Sequence, residues 1–153
     1  MIRSVALACA SVFGVGYAPV APGTFGSAAG LVVWWLLPQS PLIQLIAIAG
    51  IFALGSWSSG VCEKDCGRLD PGHVVIDEVL GMLVTLFMIP IGPLGVLLAF
   101  LLFRITDIVK PYPADRFEQL HGGVGVMADD AMAGIYANLA LRLIIWTSGY
   151  LVL

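Results

Sequence analysis

Apolar residues run along this chain in long blocks, and polar residues collect in a few islands between them. A block that is apolar on every face marks a helix surrounded by other helices or by lipid rather than by water. Residues 1–14 predict a short apolar helix, and Gly14, Gly16, Pro19, Pro22 and Gly23 then predict a built loop through Thr24. Residues 26–37, GSAAGLVVWWLL, predict a second helix for which Thr24 is a natural N-cap. Beyond the uncharged turn PQSP at 38–41, residues 42–59 form another apolar block, and its small residues Ala47, Ala49, Gly50, Ala53, Gly55 and Ser56 suit close helix packing. A charged island follows at 61–77, with Asp70-Pro71-Gly72 as a turn. The sequence IPIGP at 89–93 divides the next apolar stretch into two helices, 73–89 and 94–110, each about 25 Å long at about 1.5 Å per residue. Residues 129–153 predict a last helix, long enough to cross a bilayer.

Composition turns this pattern into a fold class. Of 153 residues, 59% are hydrophobic and only 11% charged, and the mean hydropathy is +0.99. A water-soluble bundle needs more polar surface than that. The expectation is an all-α protein, a small bundle of short apolar helices embedded in a membrane, formed by residues 1–153 as a single domain. If each apolar block enters the bilayer once, the two uncharged turns fall on one face and the three polar loops gather on the other. Nearly all Lys and Arg lie with those loops, which makes that face cytoplasmic. Arg142, in the last block, is expected to snorkel or to pair internally. Seven basic residues and a net charge of −3 leave no cationic stripe, which excludes nucleic acid as a partner. Cys9, Cys62 and Cys66 lack the second pair of a zinc site and predict free thiols. The run before Cys9 is too short for a signal peptide.

Candidate chemistry concentrates in residues 103–133 and at the head of the third long helix. Asp77-Glu78 and Asp129-Asp130 are adjacent carboxylate pairs beside apolar runs. Helix capping would accommodate either pair, but a carboxylate next to an apolar stretch is costly unless it is paired or metal-bound. Oxygen ligands alone, with few His or Cys, fit Mg²⁺. Arg104, Asp107 and Lys110 recur every three residues, which puts Arg104 beside Asp107 on a helix that Pro111 stops. In that pattern Asp107 points to the metal, and Arg104 and Lys110 hold phosphate. The turn at Pro22-Gly23-Thr24 offers a helix N-terminus to an anion. His73 and His121 lie in loops and are assigned no role.

Four stretches resemble the bacterial phosphatidylglycerophosphatase A family: PVAPGTFGS at 19–27, DPGHVVIDEVLG at 70–81, FLLFRITDIVKPYP at 100–113 and GGVGVMADDAMAGIY at 122–136. His73 and Ala128 depart from the family pattern. The resemblance implies Mg²⁺-dependent hydrolysis of the phospholipid phosphatidylglycerophosphate to phosphatidylglycerol and phosphate, at the bacterial cytoplasmic (inner) membrane with the active site facing the cytoplasm. The expected metal ligands are Asp77, Glu78, Asp107, Asp129 and Asp130, with Glu78, Asp107 and Asp130 catalytic and Thr24, Arg104 and Lys110 binding the substrate phosphate. The rival reading is a small membrane transporter or channel with a carboxylate-lined cation site.

Overall fold

A computed structural model describes residues 2–117, 120 and 122–148. These are all helical or in loops: α1 (Ile2–Ala10), a 3₁₀ turn (Val15–Tyr17), α2 (Pro22–Leu36), α3 (Pro41–Cys66), α4 (Ile76–Thr85), α5 (Pro93–Val109), α6 (Ala114–Phe117) and α7 (Gly123–Ser148). Helices α2, α3 and α5 each begin on a proline, whose fixed φ and missing N–H cost nothing at a first helical position. Helix α3 stops at Gly67, which takes φ 67° and returns its N–H to the Glu63 carbonyl.

Helix α4 is the centre of the bundle, packed between α2 and α7. Glycines make those seams tight. A Cβ on Gly30 of α2 would lie 2.7 Å from the Met82 Cβ, and one on Gly134 of α7 would lie 2.5 Å from the Gly81 carbonyl oxygen. Helix α7 meets α3 in the same way, where a Cβ on Gly123 would fall 2.5 Å from the Gly60 nitrogen. Such backbone-to-backbone packing holds helices together where lipid removes the hydrophobic drive between them. The buried cluster Met82, Leu86, Phe103, Ala133, Ala137 and Leu141 fills the space between α4, α5 and α7.

With ten residues, about 15 Å, α4 is too short to cross a bilayer. Its end is capped from α7. Asn138 Nδ2 donates to the carbonyls of Val84, Thr85 and Phe87 at 3.2, 2.9 and 3.1 Å. Arg142 donates to Asn138 Oδ1 at 2.8 Å and to the Phe87 and Met88 carbonyls at 3.0 and 3.3 Å. Arg142 therefore pairs internally. Helices α3 and α7 are long and apolar enough to cross a membrane. Much of the exterior is apolar, including Trp35, Leu54, Trp57, Leu97, Leu139, Leu143 and Trp146. The three cysteines are free.

The two uncharged turns sit together at one pole, lining a common cavity of about 890 Å³. Gln44 ties them, donating to Gln39 Oε1 at 3.1 Å and accepting the Met88 N–H at 3.2 Å.

Four boundaries differ from expectation. Helix α4 covers only Ile76–Thr85 of the expected 73–89, about 15 Å instead of about 25 Å. Helix α3 runs on to Cys66 because 61–66 contains no breaker before Gly67. Helix α7 starts at Gly123, since Gly123 and Gly125 serve close approach to α3 and α6 rather than chain reversal. Asp129 and Asp130 thus lie inside the helix, not at its mouth. The N-cap of α2 is Ala21, at φ 48°, and its carbonyl accepts the Thr24 N–H at 2.9 Å, so Thr24 stands in the first turn instead of capping it. His121 and the expected helical residues 149–153 lie outside the described residues.

Candidate active site

At the pole opposite the two turns, the first turn of α4 brings Asp77 and Glu78, the second turn of α7 brings Asp129 and Asp130, and the end of α5 brings Arg104, Asp107 and Lys110. Asp77, Glu78 and Asp130 each present a carboxylate oxygen, and the three oxygens lie within 4.8 Å of one another. Asp77 and Asp130 are buried and Glu78 is half-buried. The crossing at Gly81 and Gly134 is what carries the carboxylates of α4 against those of α7, because a Cβ on Gly81 would also sit 3.0 Å from the Asp130 carbonyl oxygen.

The other two carboxylates are engaged by cations. Arg104 Nη1 lies 2.6 Å from Asp107 Oδ2, 3.9 Å from Glu78 Oε1 and 3.4 Å from Ser27 Oγ. Lys110 Nζ lies 2.6 Å from Asp129 Oδ2. The five carboxylates expected from sequence are therefore at one pole, in two groups: three with converging oxygens and two pairing with the cationic side chains.

Burial pushes the Asp77 carboxyl well above the usual carboxylate range, and the negative charges of Glu78, Asp130 and Asp70 add to it. Glu78 is raised too, chiefly by burial, against the hydrogen bond from Asp77 and the charge of Arg104. Glu78 Oε2 and Asp130 Oδ2 are buried without a hydrogen-bond partner among the described residues. An unpartnered buried carboxylate oxygen is costly, and two of them in one three-carboxylate cluster match what a hard divalent cation takes. The donor set fits a metal of the Mg²⁺ kind.

Ser27 and Asp70 belong to this pole although they drew no chemical reading from sequence, and Gly23, read there only as part of an anion-binding turn, lies against the cluster itself. A Cβ on Gly23 would run into Glu78 Oε1 and lie 3.1 Å from Arg104 Nη1, so a side chain there would push the Glu78 carboxylate and the Arg104 guanidinium from their places. Ser27 is buried, donates to the Gly23 carbonyl at 2.8 Å and accepts from Arg104. The signal was present as small residues at 23, 26, 27 and 30, which share a helical face. Thr24 stands beside Gly23 at the same helix end, and His73 lies outside the cluster, stacked on Tyr17 with ring centroids 5.4 Å apart.

Known proteins resemble this chain along most of its length. The family model for phosphatidylglycerophosphatase A matches residues 8–145. An Escherichia coli K12 protein named phosphatidylglycerophosphatase A is 39% identical over 80% of this chain and 73% of its own length. A Haemophilus influenzae protein of the same name is 41% identical over 84% of this chain and 82% of its own. A Bacteroides thetaiotaomicron protein with the provisional name phosphatidylinositol-3-phosphatase is 38% identical over 90% of this chain and 91% of its own. No solved structure gives a significant match. On the family match and these identities, the chain belongs to the phosphatidylglycerophosphatase A family of phosphatases.

Proposed function

We propose that this protein, acting as a single domain over its whole length, hydrolyses the terminal phosphate monoester of phosphatidylglycerophosphate to phosphatidylglycerol and inorganic phosphate, with Mg²⁺ as cofactor. The observation that carries the reading is a charge imbalance. Asp70 and the five carboxylates of α4, α5 and α7 face Arg104 and Lys110, and Glu78 Oε2 and Asp130 Oδ2 are buried without a partner among the described residues. A phosphate dianion cannot enter such a site unless positive charge enters with it. Family membership sets aside the transporter or channel reading.

In this mechanism Asp77, Glu78 and Asp130 would hold Mg²⁺. When bound, the ion polarises phosphoryl oxygens and lowers the pKa of a water. Asp107 and Asp129 fix the positions of Arg104 and Lys110, so that a planar fork and a point charge are already aimed at the phosphate as charge builds on its oxygens. The first turn of α2, which begins at Pro22 and Gly23, adds a positive helix end on the same side, although Thr24 donates its own N–H to the Ala21 carbonyl. With α3 and α7 crossing the bilayer, the pole lies at headgroup level, and its Lys and Arg place it on the cytoplasmic side of the bacterial inner membrane. The Escherichia coli and Haemophilus influenzae names support phosphatidylglycerophosphate as substrate. The Bacteroides thetaiotaomicron name gives a different phosphorylated glycerolipid, with the same phosphomonoester chemistry.

The test is phosphate release by the purified protein from phosphatidylglycerophosphate and from phosphatidylinositol 3-phosphate, in chelator and on Mg²⁺ titration. Glu78→Gln and Asp130→Asn should abolish turnover and remove Mg²⁺ binding measured by calorimetry, with folded protein retained in detergent. Asp107→Asn and Asp129→Asn should keep the ion and lose turnover about 10- to 100-fold, the usual cost of removing a supporting partner. Near-normal turnover in Glu78→Gln and Asp130→Asn would remove the metal assignment.

A further inference from the structure

The site is walled by α2, α4, α5 and α7, and three of the seams between them are closed. Helix α2 lies on α4 through Gly26 and Gly30, and α4 lies on α7 through Gly81 and Gly134. Helix α5 is pinned to α7 by Thr106 Oγ1, which donates to the Ala133 carbonyl at 3.0 Å. Helices α2 and α5 touch only sparsely. They run antiparallel, since α2 leaves the polar pole and α5 returns to it. At the head of their seam, Arg104 meets Ser27 at 3.4 Å. Toward the far pole, Leu31, Val32, Trp34, Trp35, Pro93 and Val96 line an apolar cavity of about 330 Å³. From Ser27 to Trp35 is about 12 Å along the helix at about 1.5 Å per residue.

We propose that this seam is the lateral doorway and acyl-chain slot for the lipid substrate: the phosphate enters between Ser27 and Arg104, and an acyl chain lies along Leu31, Val32, Trp35 and Val96. The proposal rests on the lipid-phosphatase reading above. A phosphomonoester seated at Arg104 and Gly23 is tethered to acyl chains that need apolar surroundings close by. The α2–α5 seam offers such surroundings on the same two helices that carry the Arg104–Ser27 contact. The slot makes acyl-chain contact a determinant of specificity, beyond recognition of the headgroup.

The experiment uses the purified full chain in mixed micelles and two substrates, a long-chain phosphatidylglycerophosphate and a short-chain, water-soluble one. The readout is the ratio of their kcat/KM values. Val96→Trp fills the slot, and Val32→Trp, at an exposed position, does so with less demand on packing. Both should lower the long-to-short ratio about tenfold, the usual scale of discrimination by an apolar pocket. Leu139→Trp, on the lipid-facing side of α7, should leave the ratio unchanged. Should Val96→Trp not fold, Val32→Trp decides. An unchanged ratio in a folded seam variant would overturn the slot and leave bulk lipid as the occupant of the cavity. Phosphate release from neither substrate by the wild-type protein would instead overturn the parent reading, and the slot with it.

Discussion

Replacing Gly134 by alanine adds one methyl group at a crossing where backbone meets backbone. The new Cβ would lie 2.5 Å from the Gly81 carbonyl oxygen and 3.0 Å from the Val84 Cβ, whereas ordinary contact begins at 3.4 Å. Neither neighbour at the closest point is a flexible side-chain end, so α4 and α7 must part by about 1 Å to regain van der Waals distance. The displacement acts on the carboxylate cluster directly, because Asp77 and Glu78 ride on α4 and Asp130 on α7. Misplacement of reacting groups by about 1 Å costs about 100-fold in rate, and overpacking a tight seam costs about 1–3 kcal/mol of stability. Gly134→Ala should therefore fold with a lowered unfolding midpoint, bind Mg²⁺ more weakly by calorimetry and lose about 100-fold in kcat/KM. Gly50→Ala is the control, since a Cβ there meets nothing within 4 Å. Its helical position makes it neutral or stabilising by up to about 1 kcal/mol. Wild-type activity and Mg²⁺ affinity in Gly134→Ala would refute the claim that this crossing sets the site.

Asn138→Ala, which strips a donor from three carbonyls at the end of α4, should destabilise the protein by about 1–3 kcal/mol in detergent unfolding while leaving Mg²⁺ affinity near wild type. An unfolding midpoint equal to wild type would show that water or Arg142 replaces it fully. The raised pKa values of Asp77 and Glu78 give a pH dependence whose sign is fixed. The folded state holds these protons more tightly than the unfolded chain, so their contribution is present below the ordinary carboxylate range and is lost as pH rises through the raised values. In chelator the unfolding midpoint should fall as pH rises above the ordinary carboxylate range, and saturating Mg²⁺, which replaces the protons, should flatten that slope. A rising midpoint in chelator would contradict the burial of the pair. The triple variant Cys9→Ser, Cys62→Ser, Cys66→Ser should retain turnover, because the thiols are free and take no part in the cluster. An inactive but folded triple variant would assign the thiols a role.

Much of this was legible in residues because unbroken apolar blocks and buried charge leave strong marks. Blocks apolar on every face can only be interior or lipid-facing helices, and paired carboxylates beside them are too costly to be incidental. The convergence of Asp77, Glu78 and Asp130 followed from placing three polar loops on one face. What escaped were features decided by close approach. Glycine carries two opposed meanings, and a last helix expected from residue 129 left out Gly123, which in fact opens that helix at its crossing with α3. Gly23 was read as part of an anion-binding turn, and its close approach to Glu78 and Arg104 had no mark in the sequence. Spacing placed Arg104 beside Asp107, but nothing local could show Lys110 reaching Asp129 nineteen residues on. The division of five carboxylates into two groups is therefore a tertiary fact.

The capping of α4 by Asn138 and Arg142 has a mechanical consequence. Helix α4 is a short strut fastened to one neighbour at two levels, through Gly81 at its middle and through its terminal carbonyls at its foot. The distance along α7 from Asp130 to Asn138, about 12 Å, acts as a ruler between the carboxylate cluster and the anchor. In a bilayer spanned by α3 and α7, a change of thickness is then accommodated where the long helices overhang, and the depth of the cluster stays constant relative to α7.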